Sequence, residues 1–136
     1  MPWPIHVLPQ AEAFLNGLDT DEYDMFIAAL TVLEEKGPSL GEPLVKLVVT
    51  SAHKNMKELR RQSKGRIFRV LFAFDSKRQA ALLTGGDKAE IGFDDFYNIH
   101  VPIADALFTS HQADCAEELA AKKNPPKNPI NRRKGK

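Results

Sequence analysis

Residues 56–88 read MKELRRQSKGRIFRVLFAFDSKRQAALLTGGDK, and they set the fold expected of the chain. A short strand at 56–60 and a basic run lead through a turn at 62–65 into a strongly apolar strand. A second turn at 75–78 leads into another strand at 79–84. Side chains along a strand alternate with period two. Phe68, Val70, Phe72 and Phe74 therefore take one side of the long strand, and Ile67, Arg69, Leu71 and Ala73 the other. Both sides are mostly apolar, so this strand is expected at the centre of a sheet covered on both faces. Arg69 is the exception. A guanidinium keeps its proton, so at this position it needs an acidic partner, an anionic ligand or a wet cleft. Three strands joined by short turns make an antiparallel meander, and Gly85-Gly86 reads as a turn or bulge delivering Asp87 and Lys88.

Working outward, residues 3–8 suit an edge strand, because Pro4 fits only an edge or a strand start. Pro9 opens a short helix with Ala11, Phe14, Leu15 and Leu18 on one face. Asp19 and Glu22 form a capping-box pattern before a second helix whose apolar face is Tyr23, Phe26, Ile27, Leu30 and Leu33. Gly37-Pro38 ends it, and Asp21, Asp24, Glu34 and Glu35 form its solvated face. A strand-like segment at 44–49 interrupts the long connection that follows. Downstream, Asp94 caps a helix holding Phe96, Tyr97, His100, Ile103 and Leu107, with a kink or restart at Pro102. The expected class is α+β: an antiparallel sheet with two N-terminal helices packed on one face, plus a C-terminal helix. Residues 1–111 are expected to form the domain. Residues 112–136 follow as a helical extension and a basic tail, disordered when free from Asn124 onward.

The 136 residues include one cysteine, Cys115, which excludes an internal disulfide and a multi-cysteine zinc site. His6, His53 and His111 show no ligand spacing with one another, so neither metal nor cofactor is expected. No charged leader with a long apolar segment opens the chain, and no apolar run approaches the ~20 residues that span a bilayer. The expected location is cytoplasmic, with no membrane partner. The net charge of +1 hides a strong polarity. Residues 1–53 carry two lysines and eight carboxylates, residues 54–69 carry seven basic side chains and one acid, and seven basic residues follow from Lys122 with no acid among them. A polyanion would meet two positive regions on an acidic body; a solvated charged surface is the alternative.

The order of strand, two helices and a basic antiparallel meander resembles the RelE/ParE superfamily of bacterial and phage toxins, in its HigB-like branch. The residues that carry the resemblance are Met56-Lys57-Glu58-Leu59-Arg60, Gly65-Arg66, Arg69-Val70-Leu71, Asp75, and Leu82-Leu83-Thr84-Gly85-Gly86-Asp87-Lys88. Phe96-Tyr97, Ile103-Ala104-Asp105 and His111 extend it into the last helix, so it covers residues 3–111. It implies a toxin of a type II toxin–antitoxin system that cuts mRNA on the translating ribosome without a metal. It also implies a cognate antitoxin, expected to be a small helix-turn-helix protein. The ParE branch instead inhibits DNA gyrase, and a non-catalytic binding module is the alternative. By position, the resemblance places Arg60, Arg69, Lys88 and Tyr97 at the catalytic site.

RNA can be cleaved by its own 2′-hydroxyl, leaving a 2′,3′-cyclic phosphate. The protein then has to align that hydroxyl, offset charge growing on phosphorus and handle two protons. Arg60 and Arg69 suit the charge, since their forked donors match phosphate oxygens. Arginine is too basic to be the general base, which leaves Tyr97, Lys57 or His100. Tyr97 ranks first by family position and His100 second by its chemistry near neutrality. Lys54, Lys57, Arg61, Lys64 and Arg66 are the expected RNA-binding side chains. Core packing is the other reading of Tyr97 and His100, and pairing with the acidic helix at 21–35 the other reading of Arg60 and Arg61.

Overall fold

The structure is a computed structural model describing residues 2–123, so the expected disorder from Asn124 lies outside the described residues. Elements follow in the order β1 (Ile5–Val7), α1 (Pro9–Asn16), α2 (Thr20–Lys36), β2 (Val45–Leu47), β3 (Lys57–Ser63), β4 (Arg66–Phe74), β5 (Ala80–Asp87), α3 (Lys88–Ile91) and α4 (Phe93–Lys123). The sheet order is β1-β5-β4-β3-β2, with β4 at its centre as the apolar pattern requires. β2 to β5 are antiparallel, whereas β1 runs parallel to β5. The sheet is therefore mixed, a correction to the purely antiparallel expectation. β1 is separated from β5 by both helices and by β2 to β4, so the chain has room to bring the two strands together in parallel at the far edge.

The two faces of β4 are buried by different helices. Phe68, Val70 and Phe72 join Leu59 and Leu82 under α1 and α2, against Leu15, Phe26, Leu30 and Leu33. Leu71 and Ala73 join Ala81 and Leu83 under α4, against Val101, Ala104 and Phe108. α2 starts in the expected capping box, with Asp19 accepting from the Glu22 amide and the Glu22 side chain accepting from Asp19. Lys64 and Gly65, both at positive φ, make a two-residue hairpin turn between β3 and β4, tighter than the turn expected at 62–65. α4 runs through Pro102 as one helix and continues past residue 111 to Lys123.

Gly85 and Gly86 are strand residues, not a turn. The irregularity comes earlier: Leu71 pairs with Thr84 while Phe72 pairs with Leu82, leaving Leu83 as an extra residue on β5. One inserted residue resets the alternation. Leu83 and Thr84 consequently both face α4, Gly85 turns toward α1, and Gly86 turns toward α4. A Cβ at Gly85 would lie 2.7 Å from Phe14, and one at Gly86 would lie 3.1 Å from both His100 and Phe96. The glycines let both helices approach the strand.

Candidate functional site

β2 pairs with β3 only from Lys57 to Leu59, and after the Arg60 amide reaches the Leu44 carbonyl the edge of β3 is open. At that edge, on the face toward α4, Arg60 lies directly opposite Arg69, which lies opposite Gly86. Two guanidinium groups in cross-strand register repel unless an anion sits between them. Both share one carboxylate, Glu58, at 3.8 Å from Arg60 Nε and 3.7 Å from Arg69 Nε. Those are ion-pair distances, too long for hydrogen bonds. The Nε atoms of Arg60, Arg61 and Arg69 are buried without a hydrogen-bond partner among the described residues. Arg69 is 6% exposed and donates from Nη1 to the Phe68 carbonyl. These three arginines line a hollow of about 480 Å³ together with Pro43, Leu44 and Gln62. Buried guanidinium donors without hydrogen bonds are costly; Glu58 offsets the charge of Arg60 and Arg69 but does not bond to their Nε atoms.

Glu58 ties the arginines to the last helix. Tyr97 donates to Glu58 Oε1 at 2.7 Å, and Lys88 Nζ donates to the Tyr97 hydroxyl at 2.9 Å. Asp87 sets Lys88 in place: its carboxylate accepts from the Ala89 amide as the cap of α3 and from the Ile67 amide of β4. Glu58 and Tyr97 line a second hollow of about 530 Å³, whose polar wall includes Lys46, Thr50 and Asn98. The carboxylate thus faces one hollow while its charge partners face the other. Burial and the Glu58 carboxylate push the Tyr97 phenol up to about 12, so it stays protonated near neutrality. Burial, then Arg69, pulls the Lys88 amine below its ordinary value. Burial also lowers the His100 imidazole, which keeps it neutral. His100 faces Thr84, with Nδ1 at 3.2 Å from the hydroxyl, and stacks on Phe96 at 4.5 Å.

Of the residues expected at the catalytic site, the structure brings together Arg60, Arg69, Lys88 and Tyr97. His100 packs over Gly86 beside them, bonded to Thr84. The expected RNA-binding set divides. Arg61 lines the arginine hollow, and Lys54 and Lys64 are exposed on a loop and a turn. Lys57 belongs to the opposite face, donating to the Pro38 carbonyl at 3.2 Å and lying 5.6 Å from the Phe74 ring. Lys57 is therefore corrected out as a candidate base beside Arg60 and Arg69, because strand alternation turns it to the face opposite Glu58 and Arg60. Arg66 is held by Glu22 at 3.2 Å and Asp87 at 3.4 Å. It, not Arg60 or Arg61, is the arginine that meets the acidic helix. Glu58 is the residue the sequence reading missed. Its signal was available: period two puts Glu58 and Arg60 on one side of β3, and a hairpin at 64–65 puts Arg69 opposite Arg60.

A family model described as Phage derived protein Gp49-like matches residues 13–109. Two proteins of Mycobacterium tuberculosis (strain ATCC 25618 / H37Rv) are similar to the chain. "Putative toxin HigB2" is 51% identical over 102 residues, covering 74% of this chain and 50% of that protein. "Putative toxin HigB3" is 46% identical over 99 residues, covering 73% of this chain and 84% of that protein. The match therefore spans half the length of the first relative and most of the second.

Proposed function

The chain belongs to the Gp49-like family and is HigB-like, and from that premise we propose that it is the toxin of a toxin–antitoxin pair, cleaving mRNA on the translating ribosome. The observation that carries the catalytic part is the set of buried Nε atoms of Arg60 and Arg69, without hydrogen bonds at an open hollow and backed by the Glu58 carboxylate, which lines the neighbouring hollow. A phosphate seated there receives the forked donors of both arginines, and Lys88 adds a third positive charge. These groups offset the charge that grows on phosphorus as the 2′-hydroxyl attacks. Glu58 replaces Tyr97 as the general base in this reading. A phenol held near 12 is a poor proton acceptor, whereas the carboxylate it donates to can take the 2′-hydroxyl proton of an RNA that spans the arginine hollow and the hollow lined by Glu58 and Tyr97. Tyr97 then orients Glu58, and as the P–O5′ bond breaks the Lys88 ammonium, bonded to Tyr97, protonates the departing 5′-oxygen.

The domain in this proposal is residues 1–111, with residues 112–136 as an extension carrying the basic tail. Its partners are the ribosome with its mRNA and a cognate antitoxin, a small helix-turn-helix protein that covers the arginine hollow. The expected location is the cytoplasm. Among the described residues no helix is long and apolar enough to cross a membrane. Inducing the wild type and Arg69→Ala in cells and mapping mRNA 5′ ends tests the proposal. New ends within reading frames are expected for the wild type and not for the variant. One observation favours the second reading, a non-catalytic binding module of the same fold that inhibits gyrase or only binds an antitoxin. The Tyr97 hydroxyl and Glu58 already satisfy each other, and Arg69 spends one donor on its own backbone. Equal toxicity of wild type and Arg69→Ala, with no new 5′ ends, would select that module.

A further inference from the structure

At the end of the sheet away from Arg69, three side chains of different donor type converge. Asp75 opens the turn between β4 and β5, and His111 and Cys115 lie four residues apart on one face of α4. His111 Nε2 is 2.7 Å from Asp75 Oδ2, Cys115 Sγ is 3.4 Å from His111 Nε2, and the three ligand atoms all lie within 4.8 Å of one another. We infer that this cluster is a site for a single zinc-like divalent cation, held by Asp75, His111 and Cys115 and clamping α4 to the β4–β5 turn.

Four features carry the inference. The donor set of carboxylate oxygen, imidazole nitrogen and sulfur suits a borderline-soft cation such as zinc, which takes all three at about 2.0–2.3 Å. Tetrahedral bonds of that length place ligand atoms roughly 3.3–3.6 Å apart. The sulfur–nitrogen pair already has this spacing, and the nitrogen–oxygen pair reaches it by opening about half an ångström when the cation replaces the hydrogen between them. The carboxylate is held ready from outside: the amides of Lys77 and Gln79 donate to Oδ1 at 2.9 and 3.0 Å, and Gln79 Nε2 donates to Oδ2 at 2.8 Å. Such outer hydrogen bonds are what orient ligating carboxylates. Finally, the exposed His6 ring stacks on the His111 ring with centroids 5.1 Å apart, which steadies the orientation of the ligating imidazole. Comparing histidines only with one another hides this site. His111 pairs in helical spacing with the cysteine, and Asp75 arrives from 36 residues away.

The site lies apart from the arginine hollow and shares no residue with it. The test is calorimetric titration of the reduced full chain with Zn²⁺ alone, followed by Co²⁺ as a spectroscopic stand-in. The wild type is expected to bind one equivalent of Zn²⁺ and to show a thiolate-to-cobalt charge-transfer band. Cys115→Ser is expected to abolish the band, and His111→Gln to weaken Zn²⁺ binding at least about 100-fold. Gln79→Ala, which touches only the carboxylate, should weaken it about 10-fold or more, and Arg69→Ala should leave it unchanged. A wild type without stoichiometric Zn²⁺ binding overturns the inference whatever the variants do, and so does a band that persists in Cys115→Ser.

Discussion

Arg69 sits on the central strand opposite Arg60, with Nη1 bonded to the Phe68 carbonyl and Nε without a hydrogen bond, 3.7 Å from Glu58. If those donors meet an RNA phosphate, Arg69→Ala and Arg60→Ala should each slow cleavage of ribosome-bound mRNA by about two to three decades. Arg69→Lys should not restore it, because an ammonium lacks the planar fork. Glu58 behaves differently. Glu58→Gln should lower the single-turnover rate by about two to four decades, as loss of a general base does. It should leave RNA affinity equal or higher, because a negative charge is removed from between cations. Parallel loss of rate and affinity would count against Glu58 as the base. Tyr97→Phe should reduce the rate without moving the alkaline limb of the pH profile, since a phenol near 12 does not titrate in that range. A limb displaced by that substitution would return the proton transfer to Tyr97.

At the scale of elements, the site depends on the extra residue in β5 and the two glycines after it. Gly86→Ala places a methyl 3.1 Å from His100 and Phe96, so those rings of α4 have to give by a few tenths of an ångström. A loss of about 1–3 kcal/mol is expected in urea unfolding, as for other overpacked contacts. Activity should fall as well, because α4 carries Tyr97. Asp87 joins α3 to β4 through the Ala89 and Ile67 amides. Burial alone would raise its carboxyl, but those amides and Arg66 outweigh it and hold it below the ordinary value. A carboxylate depressed by folding contributes stability that is complete above the unfolded value of roughly 3.9. That contribution is lost as pH falls through the lower folded value. Unfolding free energy measured against pH should therefore decline below about 4, and the decline should be shallower in Asp87→Asn. An identical slope in the variant would show that Asp87 is not the linked group.

For the whole molecule, charge polarity governs approach. Residues 54–69 and the stretch from Lys122 are the two basic regions of a chain whose first 53 residues are acidic. Association with ribosomes should weaken steeply with salt. Removing residues 124–136 should flatten the plot of log affinity against log salt by about 0.7–0.9 for each phosphate contact that is lost. The positions of cleavage should not change if, as proposed, the hollow rather than the tail holds the scissile phosphate. An unchanged slope would confine binding to the sheet.

Local pattern determined a good deal by itself. The period-two alternation of 67–74, the capping box at Asp19 and Glu22 and the stop at Gly37-Pro38 specified β4 and α2, because each depends on neighbours a few residues apart. Arg69 was legible as an anomaly for the same reason: a charge in an apolar alternation needs a partner whatever the fold. Which partner it has was decided only by tertiary structure. The parallel placement of β1, the reset of alternation at Leu83 and the meeting of Glu58 with Tyr97 across 39 residues all depend on where distant strands and helices come to rest. So do the surroundings of Lys57. Its side was fixed by the alternation, but what that side faces was set by the packing of α2 and the loop after it.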